Sequence, residues 1–98
     1  MTVEKYRNGS SLTVALTERL DTSTAPMLEN ELSGAFDGVT DLIFDLSKLE
    51  YISSAGLRVL LSAQKKMNAQ GKMVVCGVND TIAEIFEITG FSDILTIE

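Results

Sequence analysis

Two adjacent serines stand where a short apolar run gives way to a strongly helical one. The stretch reads EYISSAGLRVLLSAQKKM, from Glu50 to Met67, so Ser53 and Ser54 immediately precede the helical part. The first turn of a helix presents free backbone N–H groups and the positive end of the helix dipole, and the two together accommodate a phosphoryl group. A hydroxyl in this place can therefore cap the helix or accept a phosphate.

Serine catalysis is the other activity that an exposed hydroxyl suggests, but the chain lacks a base for it. There is no histidine, and Lys65 and Lys66 follow Ser54 by about three helical turns, too far to activate it. Cys76 is the only cysteine, so a zinc site is not supported, and no glycine-rich phosphate loop occurs. We therefore expect no enzyme, with no catalytic residue, no metal site and no cofactor.

Composition restricts the partners and the location. The 98 residues carry 8 basic and 14 acidic side chains, a net charge of −6, and no basic cluster is larger than Lys65-Lys66. Nucleic acid is not expected as a partner, because binding the phosphate backbone needs a basic surface. The apolar runs are far shorter than the roughly 20 residues that span a bilayer, and the first residues lack a signal-peptide pattern. We expect a cytoplasmic protein without membrane insertion, and a monomer.

The elements before the two serines can be predicted from hydrophobic patterning and turn residues. Residues 2–19 alternate weakly and are divided by Asn8-Gly9, which predicts a β-hairpin. The segment TSTAPMLENELSGAF, with Pro26 in its first turn, predicts a helix. The run DLIFDLS, residues 41–47, is rich in strand formers and predicts a buried strand.

The elements that follow complete an α/β order. A helix is predicted from about Ala55 to Gln70, closed by Gly71, and KMVVCGV at residues 72–78 predicts a second buried strand. A helix between two strands makes a crossover, so these strands should be parallel. A third helix over NDTIAEIFEITG and a last strand over DILTIE give the order ββαβαβαβ, a mixed sheet with helices against it.

Three segments resemble a known family: LDTSTAPMLENEL, LIFDLSKLEYISSAGLRVLLSAQKKM and GKMVVCGVNDTIAEIFEITGFSDIL. They are similar to the anti-sigma factor antagonists, small proteins of the STAS domain family, and the resemblance covers nearly the whole chain. It implies a single STAS domain over residues 1–98, with a mixed sheet and helices packed mainly on one side. That fold agrees with the order predicted from the residues.

The resemblance also implies a phosphorylation site. The family's phosphorylated serine lies in a short Asp-Ser-Ser/Thr-Gly-Leu motif, and aligning Gly56-Leu57 with it places that serine at Ser54. Ala55 then stands where the motif commonly has a second hydroxyl, and Ser53 stands where it often has aspartate. The two neighbouring hydroxyls leave Ser53 open as a second candidate.

Residues around Ser54 are candidates for partner contact. At 100° per residue Leu57, Leu60, Leu61 and Met67 share one helix face, which we expect to be core. The family places Asp21 on a loop beside the phosphosite, to orient Ser54 or contact a kinase; a turn or cap role is the alternative. Arg58, Val59 and Ser62 lie outside the core stripe, where a solvated face is the alternative. The predicted partner-binding set is Asp21, Ser53, Ala55, Gly56, Arg58, Val59 and Ser62.

The resemblance implies a mechanism called partner switching. In such families the unphosphorylated antagonist binds an anti-sigma factor, a serine kinase with the histidine-kinase ATPase fold, and thereby frees its sigma factor. Phosphorylation ends that binding, and a metal-dependent phosphatase of the PP2C type restores it. ATP and Mg²⁺ belong to those partners. The alternative is a small STAS subunit of a lipid-transport or stress-signalling assembly.

Overall fold

The fold is a four-stranded mixed sheet with three helices. The computed structural model describes residues 1–98. In chain order the elements are β1 (Val3–Asn8), β2 (Ser11–Leu20), α1 (Ala25–Leu32), β3 (Asp41–Ile52), α2 (Ser54–Gln70), β4 (Lys72–Cys76) and α3 (Asp80–Thr89), followed by a 3₁₀ turn at Phe91–Asp93.

The strands lie side by side in the order β1-β2-β3-β4. The hairpin of β1 and β2 is antiparallel and turns through Gly9, whose φ of 63° suits the residue that has no Cβ. The pairs β2–β3 and β3–β4 are parallel, because α1 and α2 each carry the chain back across the sheet. The predicted hairpin and the predicted parallel crossover are both confirmed.

A single core lies between the helices and one face of the sheet. Burial alternates along β2 and β3, so that Val14 and Phe44 are fully buried while Thr13 and Ile43 are only half-buried on the opposite face. Helix α2 contributes Leu57, Leu60 and Met67 to the core, and Leu61 beside them is half-buried. The α/β class, with helices mainly on one side, is confirmed.

The end of the chain differs from the prediction. The segment DILTIE does not form a strand: Leu95 N donates to the carbonyl of Phe91 at 2.8 Å, which continues the helical turn past Asp93. The segment reaches the sheet only at an isolated parallel bridge between Ile97 and Val75, in which Val75 N donates to the Thr96 carbonyl and Glu98 N donates to the Val75 carbonyl. The predicted final strand is therefore reduced to one bridge at the edge of β4.

Candidate functional site

The two serines lie at the start of α2, with unequal exposure. Ser53 is the N-cap residue, with the extended φ and ψ of −100° and 176°, and Ser54 is the first helical residue. Ser54 is exposed, whereas Ser53 is half-buried. The first turn of α2 contains no acidic side chain, and its N–H groups have no partner further back in the helix. This turn therefore has an exposed hydroxyl beside free amide donors.

The hydroxyl of Ser53 does not perform the capping that its position suggests. Its Oγ is buried and has no hydrogen-bond partner, and no side-chain cap bond is present at this helix end. The backbone of Ser53 is held instead, since its N–H donates to the carbonyl of Leu20 at 2.9 Å and its carbonyl accepts from Leu57 N at 2.9 Å. Ser53 therefore occupies the cap position of α2, but the cap hydrogen bond is absent.

The loop that contains Asp21 lies at the same edge of the sheet as the serines. Leu20 and Ile52 pair at the ends of β2 and β3, so the β2–α1 loop and the β3–α2 loop both leave the carboxyl ends of neighbouring parallel strands. In open α/β sheets this edge is where ligands usually bind. The hydrogen bond from Ser53 N to the Leu20 carbonyl ties the two loops together.

The carboxylate of Asp21 organises its own turn. Its Oδ1 accepts from Ser23 N at 3.0 Å, from Ser23 Oγ at 2.8 Å and from Thr24 N at 3.2 Å. The Ser23 hydroxyl bond is the largest of the effects that lower the pKa of Asp21 from its ordinary value of 3.8, and the Thr24 bonds add to it. The turn role, the alternative weighed for Asp21, is thus present in the structure.

The other predicted contact residues divide between surface and core. Arg58 and Ser62 are exposed, as predicted, and Ala55 is half-buried. Val59 was expected outside the core stripe, but that was wrong: its side chain is only 3% exposed. The reason is α1, which packs against α2 and covers a face that the periodicity alone assigned to solvent.

Gly56 is also buried and faces inward rather than toward a partner. A Cβ built on Gly56 would lie 2.6 Å from Leu20 Cγ and 2.8 Å from Ile52 Cγ1. The absence of a side chain therefore lets the first turn of α2 sit close to the ends of β2 and β3. Gly56 was predicted as a partner-contact residue, but it is buried and serves this packing instead.

A shallow groove of about 290 Å³ runs between α1 and α2. Leu32, Phe36, Val59 and Ala63 are its buried lining, and the exposed residues Ser62 and Lys66 also border it. Its polar and apolar lining is mixed, and it holds no cluster of titratable groups suited to catalysis. The groove continues the surface of α2 away from Ser54.

Sequence reasoning missed two residues beside the site. The guanidinium carbon of Arg19 lies 4.5 Å from the centroid of the Tyr51 ring, and Arg19 Nε lies 3.7 Å from Asp21 Oδ2. The two residues are partners across the parallel register of β2 and β3. The contact could not be predicted from the sequence, because the pairing of Arg19 with Tyr51 depends on shifts of register within β2.

The comparisons with known proteins agree on one family. The model of the STAS domain matches residues 2–98. The chain is 40% identical over 80 residues to a Bordetella bronchiseptica protein, BtrV, that is named as an anti-sigma factor antagonist, covering 80% of this chain and 69% of that protein. It is 35% identical over 80 residues to the anti-sigma-B factor antagonist of Staphylococcus aureus, covering 80% of this chain and 74% of that one.

Solved structures of an anti-sigma factor antagonist, SpoIIAA, share the fold. The unphosphorylated form superposes with a TM-score of 0.78 at 17% identity, covering 99% of this chain and 87% of SpoIIAA. The phosphorylated form of this Bacillus protein superposes with a TM-score of 0.76 at 19% identity, covering 99% and 91%. The relatives are named as regulatory antagonists, which confirms the expectation of a non-enzymatic protein. None of the helices has the length and apolar character needed to cross a membrane.

Proposed function

The chain belongs to the STAS domain family, and from that membership we propose that it is an anti-sigma factor antagonist that acts by partner switching. The relatives that carry this name cover most of the chain, and their name gives the class of partner, an anti-sigma factor. In the proposal this partner is a serine kinase with the histidine-kinase ATPase fold, and the antagonist acts in the cytoplasm as a monomer.

The observation that carries the proposal is the unequal exposure of the two serines. Ser54 is open to solvent at the first turn of α2, while the hydroxyl of its neighbour is buried. A kinase must bring the hydroxyl oxygen to the γ-phosphate of ATP, which requires an accessible side chain. Ser54 is therefore the phosphoacceptor in this proposal, and Ser53 keeps a structural position.

The charge at the N-terminus of α2 explains how one phosphate changes partner binding. A phosphoserine carries about −1.5 to −2 charge at neutral pH. The free N–H groups and the dipole of α2 stabilise that charge in place, so the fold is retained. The ionised carboxylate of Asp21 lies on the adjoining loop, and the added negative charge opposes a partner that must desolvate this edge. Phosphorylation thus removes binding without unfolding the domain.

The cycle needs a second enzyme. In the proposal a PP2C-type phosphatase removes the phosphate and restores the binding form, and the ATP and Mg²⁺ of the cycle are bound by the kinase and phosphatase. The exposed residues Arg58 and Ser62 follow Ser54 by one and two turns of α2, where a partner seated on Ser54 would reach them.

Capture and phosphate mapping test the proposal together. Ser54→Ala protein, which cannot be phosphorylated at that residue, should retain an ATPase-fold serine kinase from native extract. With that kinase and Mg-ATP, the wild type and Ser53→Ala should incorporate one phosphate and Ser54→Ala none. Phosphate mapped to Ser53, or capture of a transporter or scaffold subunit in place of a kinase, would refute the assignment.

A further inference from the structure

Strand β2 contains a distortion two residues before the Leu20–Ile52 pair. The register with β3 shifts between Ala15 and Thr17 and again between Glu18 and Arg19, and Glu18 has a φ of 65°. A residue with a Cβ rarely adopts this left-handed conformation, and irregular pairing of this kind turns the following side chain to a new direction. The strained backbone therefore decides where Arg19 points.

The redirected side chain is held by an aromatic ring and an ion pair with Asp21, and its hydrogen-bond donors remain available. The Arg19 guanidinium rests on the Tyr51 ring at 4.5 Å, and its Nε lies 3.7 Å from Asp21 Oδ2, longer than a hydrogen bond. The side chain remains 59% exposed, and its guanidinium N–H groups donate no hydrogen bond within the chain. Arg19 thus presents a fixed, planar set of donors to solvent.

Arg19 lies at the edge of the sheet that carries the phosphoacceptor. Its own carbonyl accepts from Thr24 Oγ1 at 2.9 Å, which links it to the Asp21 turn. The next residue, Leu20, accepts from Ser53 N at 2.9 Å. The Arg19 guanidinium itself lies 3.7 Å from Asp21 Oδ2, so a partner that contacts the Asp21 turn beside Ser54 would be placed to reach it.

We propose that Arg19, held against Tyr51, is a specificity-determining contact that binds a carboxylate on the anti-sigma kinase; this rests on the proposed function. Arginine binds carboxylates through two parallel hydrogen bonds, and a guanidinium that is already stacked loses less freedom when it does so. Arginine and tyrosine are also the residue types that most often dominate the affinity of an interface. Because the chain has a net charge of −6, it repels an acidic partner surface overall, and binding such a surface requires an exposed cation such as Arg19 at the point of contact.

Binding of the purified kinase to Ser54→Ala protein, measured by calorimetry, tests the inference without phosphate transfer. The kinase is the one captured by that protein, and the variants are made in the Ser54→Ala background. Arg19→Glu should weaken binding roughly 30-fold or more. Lys65→Glu makes the same change of net charge, but at a residue about 16 Å from Ser54 along α2, and its affinity should stay within about three-fold of the parent. Tyr51→Phe keeps the ring face and should bind as the parent does, while Arg19→Lys should lose several-fold because lysine lacks the planar fork.

The outcomes separate the inference from the function on which it rests. Equal affinity for Arg19→Glu and the parent would overturn the carboxylate contact alone, and so would an equal loss in Lys65→Glu, which would assign the effect to net charge. A Ser54→Ala parent that binds no kinase would overturn the inference and the proposed function together. Circular dichroism checks the fold of each variant, and Arg19→Gln replaces Arg19→Glu in the same comparison if the reversal of charge prevents folding.

Discussion

At the level of single residues, three polar side chains at one edge of the sheet have different roles. Asp21 Oδ1 accepts hydrogen bonds from two residues of its turn, Ser53 Oγ is buried without a partner, and Ser54 is exposed. The residue proposed to carry the phosphate is therefore separate from the residues that hold the loops. Phosphate can be added or removed at Ser54 without breaking a side-chain hydrogen bond of the folded chain.

Asp21 should make folding stability depend on pH in the acid range. Its pKa is lowered in the folded state, so its carboxylate contributes stability that is fully present above the ordinary pKa of 3.8 and is lost as the pH falls through the lowered value. Asp21→Asn should therefore be less stable than the wild type at pH 7, and this difference should shrink on acidification through the range below 3.8. Urea denaturation across that range measures it.

The same experiment has an internal control. Ser23→Ala removes the hydroxyl that does most to lower the pKa of Asp21, so its pH dependence should be weaker than that of the wild type. A stability difference between the wild type and Asp21→Asn that stays constant or grows on acidification would show that the Asp21 carboxylate is not stabilised by folding.

The N-cap residues of α2 and α3 should respond unequally to alanine. Asn79 Oδ1 accepts from Ile82 N at 2.8 Å, and Asn79 Nδ2 donates to the carbonyl of Leu49 at 3.0 Å. Asn79→Ala should cost about 1 to 2 kcal/mol. Ser53→Ala removes a buried hydroxyl that has no partner and should cost less than about 0.5 kcal/mol, or stabilise slightly. Chemical denaturation that gave equal losses for both would contradict the missing cap bond at Ser53.

At the level of elements, the helices and strands with a regular hydrophobic pattern could be predicted from the sequence, whereas the local distortion of β2 could not. Helix α2 begins at Ser54, one residue from the predicted start, because its apolar period and closing glycine are strong local signals. The distortion at Glu18 leaves no such signal, since glutamate is an unusual residue for a φ of 65°. The burial of Val59 depends on α1, a contact between elements that periodicity within α2 does not contain. The prediction of Ser54 as the phosphorylation site came from the family resemblance. The Arg19–Tyr51 contact could be seen only once the register between β2 and β3 was known.

Gly56 should resist the substitution that usually stabilises a helix. Alanine favours a helix over glycine by up to about 1 kcal/mol. Here its Cβ would lie within 2.8 Å of Leu20 and Ile52, both almost fully buried, and overpacking of this kind costs typically 1 to 3 kcal/mol. We expect Gly56→Ala to lower the free energy of unfolding by about 1 to 2 kcal/mol, while Ser54→Ala in the same turn changes it by less than about 0.5. A stabilised Gly56→Ala protein would show that the turn has room.

At the level of the whole molecule, the core and the switch occupy different places. The 24 buried apolar residues lie between the helices and one face of the sheet, whereas Ser54 and Arg19 lie on the surface at the edge where β2 and β3 end. Both the phosphorylated and the unphosphorylated SpoIIAA share this fold. In the proposed switch, phosphorylation of Ser54 would change the surface charge at this edge and leave the buried core unchanged.

The affinity of one purified kinase for the unphosphorylated and the stoichiometrically phosphorylated protein tests the central claim most directly. Like charges brought together at a desolvated interface cost several kcal/mol, so phosphorylation of Ser54 should weaken binding by about 100-fold or more. The circular-dichroism spectrum should stay native, and phosphatase treatment should restore the original affinity. Binding of equal strength by both forms would contradict the switch, whatever residue carried the phosphate.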